Sequence, residues 1–132
     1  MIRGIDHIAI AVRSIDDSLA YYTEELKLPL VHDELLPSAG VRLAYVQAGP
    51  IMIQLVQPIG ETPIRKFLEE KGEGLHHLCF EVQDIPETLT QLVGESETRV
   101  VMGGRDRRAA FLSAHSNGLI LELTETDPVR GG

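Results

Sequence analysis

The sequence predicts an α+β protein built from two tandem copies of one unit, each a strand, then a helix, then antiparallel strands. Two observations predict it. Residues 5–20, IDHIAIAVRSIDDSLA, line up with residues 75–90, LHHLCFEVQDIPETLT, so that His7, Val12, Ile15 and Leu19 meet His77, Val82, Ile85 and Leu89 at a constant spacing of 70. In each copy the apolar period then changes from two to about 3.6, which is the change from strand to helix.

The first strand puts Ile8, Ile10 and Val12 on one face and His7, Ala9 and Ala11 on the other; the repeat sets Leu78, Phe80 and Val82 against His77, Cys79 and Glu81. Ser14, with Asp17 three residues on, caps a helix whose apolar positions are Ile15, Leu19, Tyr22 and Leu26. Asp84, Pro86 and Glu87 open the second helix, which carries Ile85, Leu89 and Leu92 towards Gly94. VRLAYVQAGPIMIQLVQ (residues 41–57) reads as two strands around Ala48-Gly49-Pro50. RAAFLSAHSNGLILELTE (residues 108–125) reads as two strands around Ser116-Asn117-Gly118. Between the copies a short helix opens at Thr62-Pro63, buries Ile64, Phe67 and Leu68, and ends at Gly72. The boundaries are therefore module 1 at about 1–57, linker helix at about 58–73, module 2 at about 74–126 and a tail at about 127–132, all within one domain.

With 132 residues and 43% apolar content the chain buries one core. A net charge of −8 leaves no basic stripe for nucleic acid or an anionic membrane, so the expected partner is a small molecule. There is no apolar run of transmembrane length and no signal-peptide pattern. The lone cysteine excludes an intrachain disulfide, and a cytoplasmic protein is expected.

The small-residue faces bearing His7 and His77 are free to face a shared concavity. Two polar residues join them from otherwise apolar closing strands: Gln54 between Met52 and Val56, and Glu122 between Ile120 and Thr124. A carboxylate within Leu-Ile-Leu-Glu-Leu needs a cation, a strong donor or solvent. Two imidazoles, an amide oxygen and a carboxylate suit a divalent metal with open coordination positions. The plainer alternative is that each histidine is a hydrogen-bonded core residue. His76, next to His77, faces the other side under strand alternation, and His32 and His115 fall in expected loops.

The segments DHIAIAV at 6–12, PIRKFLEEKGEG at 63–74, GEGLHHLCFEV at 72–82, and the closing AFL and LILEL carry a resemblance over nearly the whole chain. They resemble the methylmalonyl-CoA epimerases of the vicinal oxygen chelate (glyoxalase/bleomycin resistance/dioxygenase) superfamily. The resemblance implies two βαβββ modules forming a curved mixed sheet around a metal-binding cup, with His7, Gln54, His77 and Glu122 as ligands. It implies a homodimer, an acyl-CoA substrate, and a divalent ion that the sequence does not distinguish among Co, Mn, Ni, Zn, Fe and Mg. It also implies catalysis by α-proton removal through a metal-stabilised enolate, with Glu122 both a ligand and a catalytic proton carrier.

Three features depart from the family pattern. Leu43 stands where some members carry an acid, PSAGV replaces PEQGV, and Ser113-Ala114-His115-Ser116-Asn117 replaces an HPK-type segment. Arg105, Arg107 and Arg108 are the expected phosphate contacts for the substrate, with Arg65 and Lys66 as further cations. The rival readings are a glyoxalase I-type isomerase, an extradiol dioxygenase and a metal-free binding protein on the same scaffold.

Overall fold

The computed structural model describes residues 1–126; the tail expected at about 127–132 lies outside the described residues. Eight strands and three α-helices occur among them: β1 (Ile2–Ala11), α1 (Ile15–Ala20), β2 (Leu30–Leu36), β3 (Val41–Ala48), β4 (Ile51–Pro58), α2 (Pro63–Lys71), β5 (Gly74–Val82), α3 (Ile85–Gln91), β6 (Val101–Met102), β7 (Arg108–Phe111) and β8 (Ile120–Glu125). The α+β class is the one the sequence predicts, and the order βαβββ, given twice with α2 between, is the one the family resemblance implies. Residues 7–76 form one compact unit, and residues 1–6 group with 77 onward in the other.

In the unit of residues 7–76, β2, β3 and β4 run antiparallel, and β1 lies parallel to β4. The two-residue turn at Gly49-Pro50 joins β3 to β4, with Gly49 at φ 65°, a backbone region that only glycine enters freely. One face packs Val12, Ile15, Ala44 and Leu55 with Leu19 and Tyr22. The other packs Ala9, Ala11, Met52, Val56 and Tyr45 beneath Ile64 and Leu68 of α2. The alanines of β1 leave the depth that α2 fills. Thr62 caps α2 by accepting from the Arg65 amide, and Gly72 ends it at φ 79°.

Ser14 caps α1 as expected, its hydroxyl accepting from the Asp17 amide at 3.1 Å. The helix does not continue regularly to Leu26. Residues 21–25 form a π-turn, with the Leu26 amide bonded to the Tyr21 carbonyl. The Thr23 hydroxyl donates to the Leu19 carbonyl, a back-bond that loosens the regular ladder. The extra residue per turn rotates Leu26 off the apolar stripe, and it is 46% exposed. A second difference is β2, where the sequence shows no alternation and His32 was expected in a loop; the strand holds His32 opposite Tyr45.

In the other unit β6, β7 and β8 are antiparallel and β5 is parallel to β8, repeating the first pattern. Val82, Ile85, Leu89, Ala110 and Leu123 form its core. Asp84 caps α3 through the Glu87 amide at 2.9 Å. Asn117 and Gly118 both have positive φ, 56° and 78°, as the tight turn before β8 requires.

Candidate functional site

Each unit brings two of the expected ligands to one face of adjacent parallel strands. In the first, Ala9 of β1 is the register partner of Gln54 on β4, and His7 lies two residues before it. In the second, Cys79 of β5 is the register partner of Glu122 on β8, and His77 lies two residues before it. The equivalence of these registers is a structural repeat finer than the sequence alignment. All four side chains are buried: His7 3%, Gln54 5%, His77 4% and Glu122 8% exposed.

Tyr45 orients the first pair. Gln54 Nε2 donates to the Tyr45 hydroxyl at 2.8 Å, which leaves Gln54 Oε1 buried with no hydrogen-bond partner among the described residues. The His7 ring meets the Tyr45 ring edge to face at 5.9 Å. In the second unit His77 Nε2 and Glu122 Oε1 lie 3.0 Å apart, and the His77 ring rests against Phe111 at 5.2 Å. Neighbouring donors each about 2.1 Å from one octahedral ion stand roughly 3.0 Å apart, so this pair is spaced as two such ligands would be. An orphaned amide oxygen on the same face as an imidazole of the neighbouring strand, and an imidazole beside a carboxylate, are donor sets that fit a divalent cation.

Burial, then the nearby carboxylates of Glu122 and Asp6, push the Cys79 thiol well above its ordinary range, so it stays a neutral thiol. The ring of His76, next to His77 in the sequence, packs on Phe67 of α2 at 4.9 Å. His115 is exposed in the loop before β8.

The arginines expected to meet substrate phosphates are engaged by the protein. Arg105 reaches Asp6 Oδ2 at 2.5 Å, Arg107 reaches Asp6 Oδ1 at 3.4 Å, and Arg108 grips Glu125 through both Nε and Nη2. In the unit of residues 7–76 a cavity of about 250 Å³ is lined by Arg13, Pro58, Arg65, Leu68 and Glu69. Pro58 lies four residues beyond Gln54 on the same face of β4, about 13 Å along the strand.

Sequence reasoning missed Tyr45, Asp6 and Glu95. Tyr45 reads as one more apolar strand residue, while Asp6 carries the signal of a charge inside an apolar run. Glu95 reads as a surface residue yet is 2% exposed. Burial opposes its ionisation, but hydrogen bonds from Thr98, the Ser113 and Ala114 amides and the Ser113 hydroxyl outweigh that and lower its carboxyl to about 2. These contacts hold the loop that replaces the HPK-type segment.

The chain is 34% identical over 128 residues to an uncharacterized protein of Bacillus subtilis (92% of this chain, 91% of the relative). It is 30% identical over 135 residues to an ethylmalonyl-CoA/methylmalonyl-CoA epimerase of Cereibacter sphaeroides (95% and 99%). A solved structure of a Streptomyces coelicolor methylmalonyl-CoA epimerase variant in complex with 2-nitronate-propionyl-CoA superposes with a TM-score of 0.86 at 27% identity, covering 98% of each chain. Residues 6–118 match a family profile that takes in both histidine strands and the closing loop, and on that match the chain belongs to the glyoxalase/bleomycin resistance protein/dioxygenase superfamily.

Proposed function

We propose that the protein is a divalent-metal-dependent epimerase of a 2-substituted malonyl-CoA, interconverting the R and S forms of methylmalonyl-CoA. The relatives support an isomerase of the epimerase kind. The observation that carries the reading is the matched pair of half-sets, His7 with Gln54 and His77 with Glu122, buried at equivalent register positions of the two units. These four residues are the proposed ligands of one ion.

A bound divalent ion supplies Lewis-acid stabilisation of the negative charge that develops on the thioester oxygen when the α-proton leaves. The chain does the rest. Tyr45 fixes the Gln54 amide so that its oxygen, not its nitrogen, is presented. Glu122 has two oxygens, so one can face the ion while the other exchanges a proton with the α-carbon. Arg13 and Arg65 offer guanidinium donors to a phosphate of the CoA tail in the cavity beyond Gln54, whereas Arg105, Arg107 and Arg108 are already engaged by Asp6 and Glu125. A cytoplasmic homodimer completes the proposal.

The test is to incubate metal-loaded protein with (2R)-methylmalonyl-CoA in deuterated water and follow α-proton exchange and inversion, with a chelated sample and His77→Ala as controls. Metal-dependent inversion that is lost in His77→Ala is the expected result. Absence of exchange despite bound metal overturns the reading in favour of a glyoxalase I-type isomerase acting on another substrate.

A further inference from the structure

We propose that His32, beside Glu34, is a second proton-exchanging group of the reaction; this rests on the epimerase reading above. Inversion needs an acid/base group on each face of a planar enolate. The position where the family resemblance calls for an acid is Leu43, 4% exposed in the apolar cluster and unable to carry a proton.

The strand pairing shows what stands beside it. Glu34 is the register partner of Leu43, and His32 is the register partner of Tyr45. Directly paired residues of antiparallel strands project from the same face, so His32 and Glu34 share the face of Tyr45 and Gln54. Their neighbours agree. Leu36 packs into the apolar cluster on that face, while Asp33 turns to the opposite side and is held by Arg42, which also reaches Asp16 of α1.

His32 Nε2 is buried and lies 3.4 Å from Glu34 Oε1. That contact is longer than a good hydrogen bond, as catalytic pairs often are before substrate binds. The His32 ring is 5.7 Å from the Tyr45 ring, whose hydroxyl holds Gln54 and whose edge meets His7 at 5.9 Å. One aromatic ring therefore separates His32 from two proposed ligands. A carboxylate facing one ring nitrogen fixes the tautomer and leaves the other nitrogen to exchange protons. As the α-carbon–hydrogen bond breaks, its electron pair passes into the enolate and its proton to the imidazole. The reverse step returns the proton to carbon.

The experiment compares each methylmalonyl-CoA enantiomer in deuterated water with the parent, His32→Asn and Glu34→Gln, after thermal melts confirm folding. His32→Asn is expected to lose inversion by at least about 100-fold while one enantiomer still exchanges its α-proton through Glu122; Glu34→Gln loses less. Inversion within about threefold of the parent, or equal loss of exchange for both enantiomers in a folded variant, overturns the proposal. If the parent inverts neither enantiomer, the epimerase reading fails and a second readout decides. The His32 Cε1 proton signal, assigned by its loss in His32→Asn, shifts on addition of propionyl-CoA if the ring faces a bound thioester. An unmoved signal overturns the proposal.

Discussion

Replacing Glu95 by Gln keeps the shape of the side chain and removes its charge. The Glu95 carboxylate accepts four hydrogen bonds, two at each oxygen, from Thr98, Ser113 and Ala114. In the variant one oxygen still accepts, but the new NH2 group faces the Ser113 hydroxyl and the Ala114 amide. The hydroxyl can rotate to accept from it, whereas the Ala114 N–H meets another donor. An unpaired N–H costs ~1–3 kcal/mol, and the surviving bonds lose their ionic strengthening. Water reaching the exposed Ser113 and Ala114 recovers part of this, which leaves a loss of about 2 kcal/mol and a fall in melting temperature of roughly 6–10 °C.

The same contacts predict the pH dependence. The folded carboxyl is lowered from 4.5 to about 2, so its stabilisation is fully present above the unfolded value and is lost as pH falls towards the folded one. Urea unfolding of parent and variant should show the full gap at pH 7 and a gap smaller by roughly 1 kcal/mol at pH 3.5. Equal stabilities at pH 7, or a gap that does not shrink in acid, would refute the account of Glu95 as a buried, hydrogen-bonded carboxylate.

Tyr45→Phe removes the hydroxyl that holds Gln54, and divalent-metal affinity by competitive chelation should fall about 10–100-fold while the fold survives. Cys79 should resist thiol reagents at pH 8 in the folded protein and react only after denaturation, because burial and neighbouring carboxylates keep it protonated; rapid native labelling would contradict this. Leu123→Ala, at a position with no exposed surface, should cost ~2–5 kcal/mol by denaturant unfolding. Ser14→Ala should cost about 1 kcal/mol through loss of the α1 cap.

The duplication, the alternation of β1 and β5 and the three helix caps were legible because local chemistry decides them. His7, Gln54, His77 and Glu122 were legible as polar residues within apolar ladders, and all four are buried. The missed features depend on neighbours distant in sequence. Strand β2 carries His32 and Glu34 inward because Tyr45, Gln54 and the apolar cluster receive them, and no period in VHDELL announces it. The π-turn coincides with the back-bond of the Thr23 hydroxyl to Leu19, and the engagement of Arg105 and Arg107 follows from Asp6, about a hundred positions away.

The equivalent registers set what the chain can tolerate by insertion or deletion. The histidines of the two units are 70 positions apart, but Gln54 and Glu122 are only 68 apart. Connecting segments have thus changed length between the copies while Ala9 stayed opposite Gln54 and Cys79 opposite Glu122. Lengthening the Gly49-Pro50 hairpin or the loop before β8 should leave the donors facing as they do. Deleting a single residue within β4 or β8 would turn Gln54 or Glu122 through to the opposite side of its strand, so the length of these strands is constrained more tightly than the identity of most residues in them.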